Sequence, residues 1–340
     1  MLNVAEIDLK ILRQNAINIK NFLPSGVKFC AVVKADAYGH GAETVANAIH
    51  DLVDFFAVAL YEEAYSLRLA GVTKEILVLT PPKNSDIKKA IENGITFCVQ
   101  DALDIIKIQK VASRLKKTAT VQIALNTGMN RLGANADEVL PILQALEKSP
   151  KVILTGAYSH FYNAKSKNAR EKQKKIFGLM LNKIKEKYPN ITAHISASGG
   201  VLNGEFYDAV RIGIMLYGYY PYKRKKPTIK IRPVMKVYTF CVKERLLSAG
   251  ENLLYGNFKL KNKEEISLIR FGYADGLSRN SKKLTLNKRC MDLSAVKKAN
   301  KTRKFYILNK NADEIAKKYD TISYEILTSV SRRTEKIYLR

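Results

Sequence analysis

Tryptophan is absent from the 340-residue chain, and cysteine and histidine occur only four times each. Cys30, Cys98, Cys241 and Cys290 are too far apart for zinc or redox spacing, so core thiols in a reducing compartment are expected. His40, His50, His160 and His194 form no ligand cluster either, and no metal site is expected. No window holds 18 uncharged apolar residues, so no membrane-spanning helix is expected. The first twenty residues, "MLNVAEIDLKILRQNAINIK", place Glu6, Asp8 and Lys10 among apolar positions. They carry no apolar h-region and no small-residue cleavage site, and the cytoplasm is the default location.

Acidic residues are also scarce. Against 58 Lys and Arg stand 31 Asp and Glu, a net charge of +27. Basic runs such as "YKRKKPTIKIR" raise the question of a nucleic-acid-binding protein. The lysines are spread along the whole chain and no nucleic-acid motif accompanies them, so solvated helix faces are the better reading. Such a surface attracts small anions whatever its origin.

What the chain does have is 46% hydrophobic residues, enough for a sizeable core. Short apolar runs at 27–33, 55–60, 75–80, 95–99, 119–125, 152–158, 192–197 and 208–212 read as strands, rich in β-branched and aromatic residues. Amphipathic stretches lie between them: "YEEAYSLRLAG" ending at Gly71, "SDIKKAIENG" opening on the cap Ser85, "DALDIIKIQKVASRLKK", "ADEVLPILQALEKS" and residues 168–188. About eight strands, mostly each followed by a helix, match a (β/α)8 barrel of TIM type. A doubly wound open sheet would more often carry a glycine-rich dinucleotide loop after its first strand, and "ADAYGHG" is not one. Near 221–233, "PYKRKKPTIKIRP" reads as a linker. Beyond it, "MKVYTFCVKERLL", "EISLIRFGYADG" and "KFYILNK" read as strands and "NADEIAKKY" as a helix. The expected architecture is α/β: a barrel over residues 1–226 and a smaller, mainly β domain over 227–340.

Barrel active sites lie at the C-terminal ends of the strands. Lys34 follows the first strand, "LNTGMNRLG" the fifth, His160 the sixth and "SASGG" the seventh, while Arg211 to Gly213 end the eighth. A partly desolvated lysine among cations has a lowered pKa and can form a Schiff base. Glycine-containing loops bring backbone N–H groups close to a phosphate. Together these point to pyridoxal 5′-phosphate (PLP). Each signal alone has an ordinary structural explanation: a solvated strand end, a core histidine, a turn. Their coincidence at successive strand ends carries the reading.

The stretch "AVVKADAYGHGA" resembles the cofactor-attachment motif of the alanine racemase family. The resemblance extends over both domains through "AEIDLKILRQN", "LNTGMNRLG", "YSHF", "VRIGIMLYG", "RPVMKV", "GYADGLSR", "RCMD" and "TISYEILTSVSRR". It implies a PLP-dependent barrel enzyme with a C-terminal β domain, working as a homodimer on a small amino acid, with no nucleic-acid or membrane partner. By the same resemblance, Lys34 would hold PLP and act as one acid/base. Tyr38 would bind its phosphate, with Ser198 and the backbone at Gly213 and Ile214. Arg211 would face the pyridine nitrogen, and Arg131 would contact cofactor and substrate carboxylate. Tyr273 and the backbone of Met291 would come from the partner subunit, Tyr273 as the second acid/base. His160 would link Tyr273 to Arg211.

The chain departs from the family pattern in places. A carbamylated lysine and an acid expected near "TGM" are replaced by Ala124 and Asn126, leaving Arg131 to be positioned by a bound anion or by Asn126. An "NS" pair becomes Ala197–Ser198. A tyrosine at the substrate entrance has no counterpart, and a phosphate-contacting tyrosine near the C-terminus aligns with Arg332 or a neighbour. The reaction implied is interconversion of L- and D-alanine for cell-wall precursors. The alternatives are a broader amino-acid racemase and, less well motivated, a fold-type-III decarboxylase. A lone PLP-binding regulator would lack residues 227–340, and a basic nucleic-acid binder is the remaining, poorly motivated reading.

Overall fold

In a computed structural model, residues 3–222, 229–276, 278–279, 285–298, 304–330 and 332–340 are described. Part of the expected linker, residues 223–228, lies outside them, as does part of the stretch between "GYADG" and "RCMD". The chain divides into two units. One comprises Arg13–Ala37 and Ala42–Ile231; the other comprises Met1–Leu12, Tyr38–Gly41 and Arg232–Arg340.

The first strand, β1 (Val4–Asp8), belongs to the second unit. The eight strands expected for the barrel follow in the first unit: β2 (Lys28–Val32), β3 (Phe55–Val58), β4 (Ile76–Val78), β5 (Phe97–Val99), β6 (Ala119–Ala124), β7 (Val152–Tyr158), β8 (Thr192–His194) and β9 (Ala209–Ile212). All their pairings are parallel, in the runs β4-β3-β2-β9 and β5-β6-β7-β8. Parallel bridges Leu77↔Thr96 and Ala197↔Arg211 join the two runs and close the barrel. The strands read as continuous apolar runs because both faces are covered: "FFAV" in β3 and "AVRI" in β9 are buried throughout. Each such Phe, Val or Ile stabilises by about 1.5–3 kcal/mol relative to exposure.

Helices connect the strands where the amphipathic pattern places them. The helix Tyr61–Leu69 stops before Gly71, whose φ of 85° suits glycine. The helix Asn84–Glu92 starts one residue before the expected cap Ser85; the carboxylate of Asp86 accepts from the Lys83 backbone N–H at 3.2 Å and closes its first turn. Asp101 caps Ala102–Leu115 by accepting from Asp104 N–H at 2.8 Å.

The second unit is built on one sheet. Its longest strand, β10 (Met235–Leu247), pairs antiparallel with β1, with β11 (Glu264–Ile269) and with β13 (Lys304–Asn309). β12 (Ser294–Lys297) adds to β11, and β14 (Glu335–Leu339) lies parallel to β1. The helix expected at "NADEIAKKY" spans Ala312–Tyr319; a further helix, Ser323–Thr328, follows it. Among the described residues, no helix is long and apolar enough to cross a membrane.

Candidate active site

Lys34 comes two residues after β2, and the chain beyond it turns the wrong way. Ala35, Asp36, Ala37 and Tyr38 all have φ between 52° and 55°, and Gly39 follows at 81°. This is a turn of left-handed helix made of L-residues, each at a cost of roughly 1–2 kcal/mol. Strain of this kind is tolerated where the surroundings fix it, typically at functional sites. Glu63, in the first turn of Tyr61–Leu69, provides one such restraint. Its Oε1 accepts from Ala35 N–H at 2.6 Å and its Oε2 from Ala59 and Leu60 at 2.9 and 3.0 Å. Burial lowers the pKa of the Lys34 amine, and Arg131 and Arg211 lower it further against the opposing charge of Glu63.

At the other strand ends the barrel gathers His160, Ser198 and Arg211. Arg211, in β9, is 3% exposed. One of its terminal nitrogens donates to His194 Nδ1 at 2.7 Å and to the His194 carbonyl at 3.1 Å. The other donates to the Ser159 carbonyl at 2.5 Å and lies 3.4 Å from His160 Nδ1. The guanidinium also lies 5.1 Å from the centre of the Tyr158 ring. Burial and the neighbouring cations Arg211, Arg131 and Lys34 push the His160 imidazole down to about 3, so it is neutral near pH 7. Gln173, fully buried in the helix Lys167–Lys185, braces this loop by donating to Thr127 Oγ1 at 2.8 Å and the His160 carbonyl at 2.9 Å.

Ser198 follows β8 and is 3% exposed, yet its hydroxyl has no hydrogen-bond partner among the described residues. Gly199 and Gly200 are buried beside it. A buried orphan hydroxyl is costly unless something completes it. Gly213 and Ile214 lie just beyond β9. Arg131 is exposed. Asn126 directs its side chain to its own loop: Oδ1 accepts from Gly128 and Asn130 N–H at 3.1 and 3.0 Å, and Nδ2 donates to Asn130 and Asn135 at 3.0 and 2.9 Å. It shapes the turn that carries Arg131, not Arg131 directly. Ala124 is buried in β6.

The second unit holds the remaining expected residues. Tyr38 is buried with its ring 5.9 Å from that of Tyr324, in the helix Ser323–Thr328. Desolvation raises both phenol pKa values, that of Tyr324 to about 12. Tyr324 lies eight positions before Arg332, where the resemblance puts a phosphate-contacting tyrosine. Tyr273 and Met291 lie side by side: Tyr273 N–H donates to the Cys290 carbonyl and Ala274 N–H to that of Met291, both at 3.0 Å. A Cβ on Gly272 would come within 1.9 Å of the Met291 oxygen, which is why "GYADG" begins with glycine. Asp275, 2% exposed, accepts from Gly272 N–H at 2.8 Å, and Arg333 spans Asp275 at 3.6 Å and Asp292 at 2.7 Å. Tyr273 and Met291 themselves are 39% and 54% exposed.

The model of the alanine racemase N-terminal domain matches residues 7–221, and that of the C-terminal domain matches residues 234–338. The chain belongs to the alanine racemase family. The "Alanine racemase 2" of Caldanaerobacter subterraneus is 33% identical over 364 aligned positions, covering 98% of this chain and 94% of that protein. The alanine racemase structure of Clostridium difficile superposes with a TM-score of 0.95 at 32% identity, covering 100% of this chain and 96% of the other. That of Bartonella henselae, solved with covalently bound pyridoxal phosphate, gives a TM-score of 0.86 at 25% identity, with both chains fully covered.

Proposed function

We propose that the chain is a PLP-dependent alanine racemase. The observation that carries this is the convergence at successive barrel strand ends of a lysine with lowered pKa, a buried arginine on neutral acceptors, and a buried orphan hydroxyl. That donor set fits PLP: Lys34 to attach its aldehyde, Arg211 toward its pyridine nitrogen, and Ser198 with Tyr38 and the Gly213 and Ile214 backbone for its phosphate. When bound, PLP supplies the electron sink that makes the alanine Cα proton removable. Arg211 stays charged and donates, which keeps the group it faces unprotonated. Arg131 and the Met291 backbone bind the substrate carboxylate.

Racemisation needs a proton taken from one face of Cα and another delivered to the opposite face. Lys34 Nζ serves one face and the Tyr273 hydroxyl the other, and each turnover swaps their protonation states. Neutral His160 joins Tyr273 to Arg211. Tyr273 and Met291 come from a second copy of the chain, through the β domain beginning at 227; their exposure in the single chain supports this. The enzyme works in the cytoplasm as a homodimer and supplies D-alanine for peptidoglycan.

Lys34→Ala is expected to abolish both the visible absorbance of the bound cofactor and racemisation. Tyr273→Phe is expected to keep the absorbance while lowering turnover on the order of 10²–10⁴-fold. Mixing the two inactive variants regenerates one intact site per heterodimer. Racemisation surviving in Lys34→Ala overturns the assignment, and no recovery on mixing overturns the shared site.

A further inference from the structure

Arg211 does not end at His194. His194 Nε2 lies 2.7 Å from Gln122 Oε1, and Gln122 Nε2 lies 3.1 Å from Glu75 Oε1. Gln122 is 2% exposed, in the middle of β6, and His194 is fully buried at the end of β8. Glu75 immediately precedes β4, at the N-terminal end of the barrel. The three groups come from alternate strands, which is how a parallel barrel builds its interior layers. The chain of hydrogen bonds therefore crosses the barrel from the end opposite the proposed site to Arg211.

The sequence makes room for this. β6 and β7 slip register between Val121 and Gln122, so that Gln122 faces Gly156. A Cβ on Gly156 would come within 2.9 Å of Gln122 Cδ. The His194 ring is further held by stacking on Tyr158 at 5.3 Å and by the edge of Phe55 at 6.0 Å.

The two ends of the chain dictate its polarity. A guanidinium can only donate, so His194 Nδ1 must be the acceptor and its proton must be on Nε2. A carboxylate can only accept, so the Gln122 NH₂ must face Glu75 and its oxygen must face His194. Histidine and glutamine are the two members able to reverse, and both ends force them the same way. Each bond also polarises the next.

We propose that Glu75 and Gln122 are positioning residues that hold the orientation of His194, whose tautomer Arg211 sets, and through it the direction in which Arg211 presents its remaining donors. This deepens the racemase reading and rests on it only for the consequence in catalysis.

The test uses the full chain labelled with ¹⁵N-histidine, whose four histidines give a spectrum assignable by single substitutions. His194 is expected as a neutral Nε2–H imidazole. Glu75→Gln, at a partly buried position and of nearly equal shape, removes the acceptor-only end; Gln122→Met interrupts the chain at nearly constant bulk. Both are expected to shift the His194 Nε2 resonance, because its acceptor is lost or freed to turn, while Nδ1 remains the acceptor of Arg211 and His40 and His50 stay in place. With cofactor bound, the same variants should lower kcat on the order of tenfold and leave KM for alanine nearly unchanged. A wild-type Nδ1–H tautomer, or unmoved His194 resonances in both variants, overturns the relay. The nitrogen spectrum is read without turnover, so a wild-type chain that fails to racemise removes the proposed function alone.

Discussion

Arg211 and Arg289 are both buried, at 3% and 2% exposed, but they are held in different ways. Arg211, in the barrel, donates to two imidazole nitrogens or lies close to them and bonds the carbonyls of Ser159 and His194, all on strand ends. Arg289, in the β-rich unit, donates to the Ser278 carbonyl at 2.6 Å and the Tyr319 hydroxyl at 3.1 Å. Among the described residues, neither has a carboxylate partner. The first charge is enclosed by an array that fixes its direction; the second is tolerated by two acceptors. A buried arginine signals function when its acceptors are rigid and numerous, not merely when it is buried.

That contrast can be broken by experiment. Arg211→Ala orphans several buried acceptors at once and should cost about 3–5 kcal/mol in urea unfolding, besides activity. Arg289→Met removes fewer bonds and also removes a buried charge, so it should cost at most about 1–2 kcal/mol. Equal costs would erase the distinction. The imidazole next to Arg211 gives a second, intermediate effect. His160 titrates near 3 in the fold and near 6.5 unfolded, so the unfolded chain binds the extra proton between those values. The stability is complete above about pH 6.5 and is lost as pH falls toward about 3, by up to a few kcal/mol. His160→Asn should reduce that acid limb and leave the share of buried His194, whose pKa desolvation also lowers, as read by thermal unfolding across pH, whereas Arg289→Met should leave it unchanged. The smallest effect lies in the strained turn. Ala35→Gly is exposed, relieves one left-handed residue, and should stabilise by about 0.5 kcal/mol after the added entropy of the unfolded chain.

How much of this was legible follows the same division. The barrel could be read because a parallel strand buried on both faces is a continuous apolar run, and its site could be read because strand ends fix where side chains emerge. Lys34, His160, Ser198 and Arg211 were placed at or beside strand ends that way. β1 escaped notice: "VAEID" alternates with charge, since β1 pairs within a sheet formed mostly from residues more than 230 positions away in sequence. Glu63, Gln122 and Glu75 were missed for a related reason. Nothing local marks a glutamine that faces a glycine across a register slip. Arg333 was within a quoted motif, but its two aspartates, Asp275 and Asp292, meet only in three dimensions. The packing of Tyr324 on Tyr38 joins residues far apart in sequence, and nothing local marks it.

The reversed turn after Lys34 limits how the enzyme can be varied. β-branched side chains at 35–38 would bring Cβ substituents against carbonyl oxygens, and glycine, asparagine or aspartate enter that conformation at least cost, Tyr38 being held there by its packing on Tyr324. A randomised library over this segment should therefore return survivors from a very small alphabet. Diversity sought for new substrates is better placed on residues 162–166 after β7, where no residue has a positive φ.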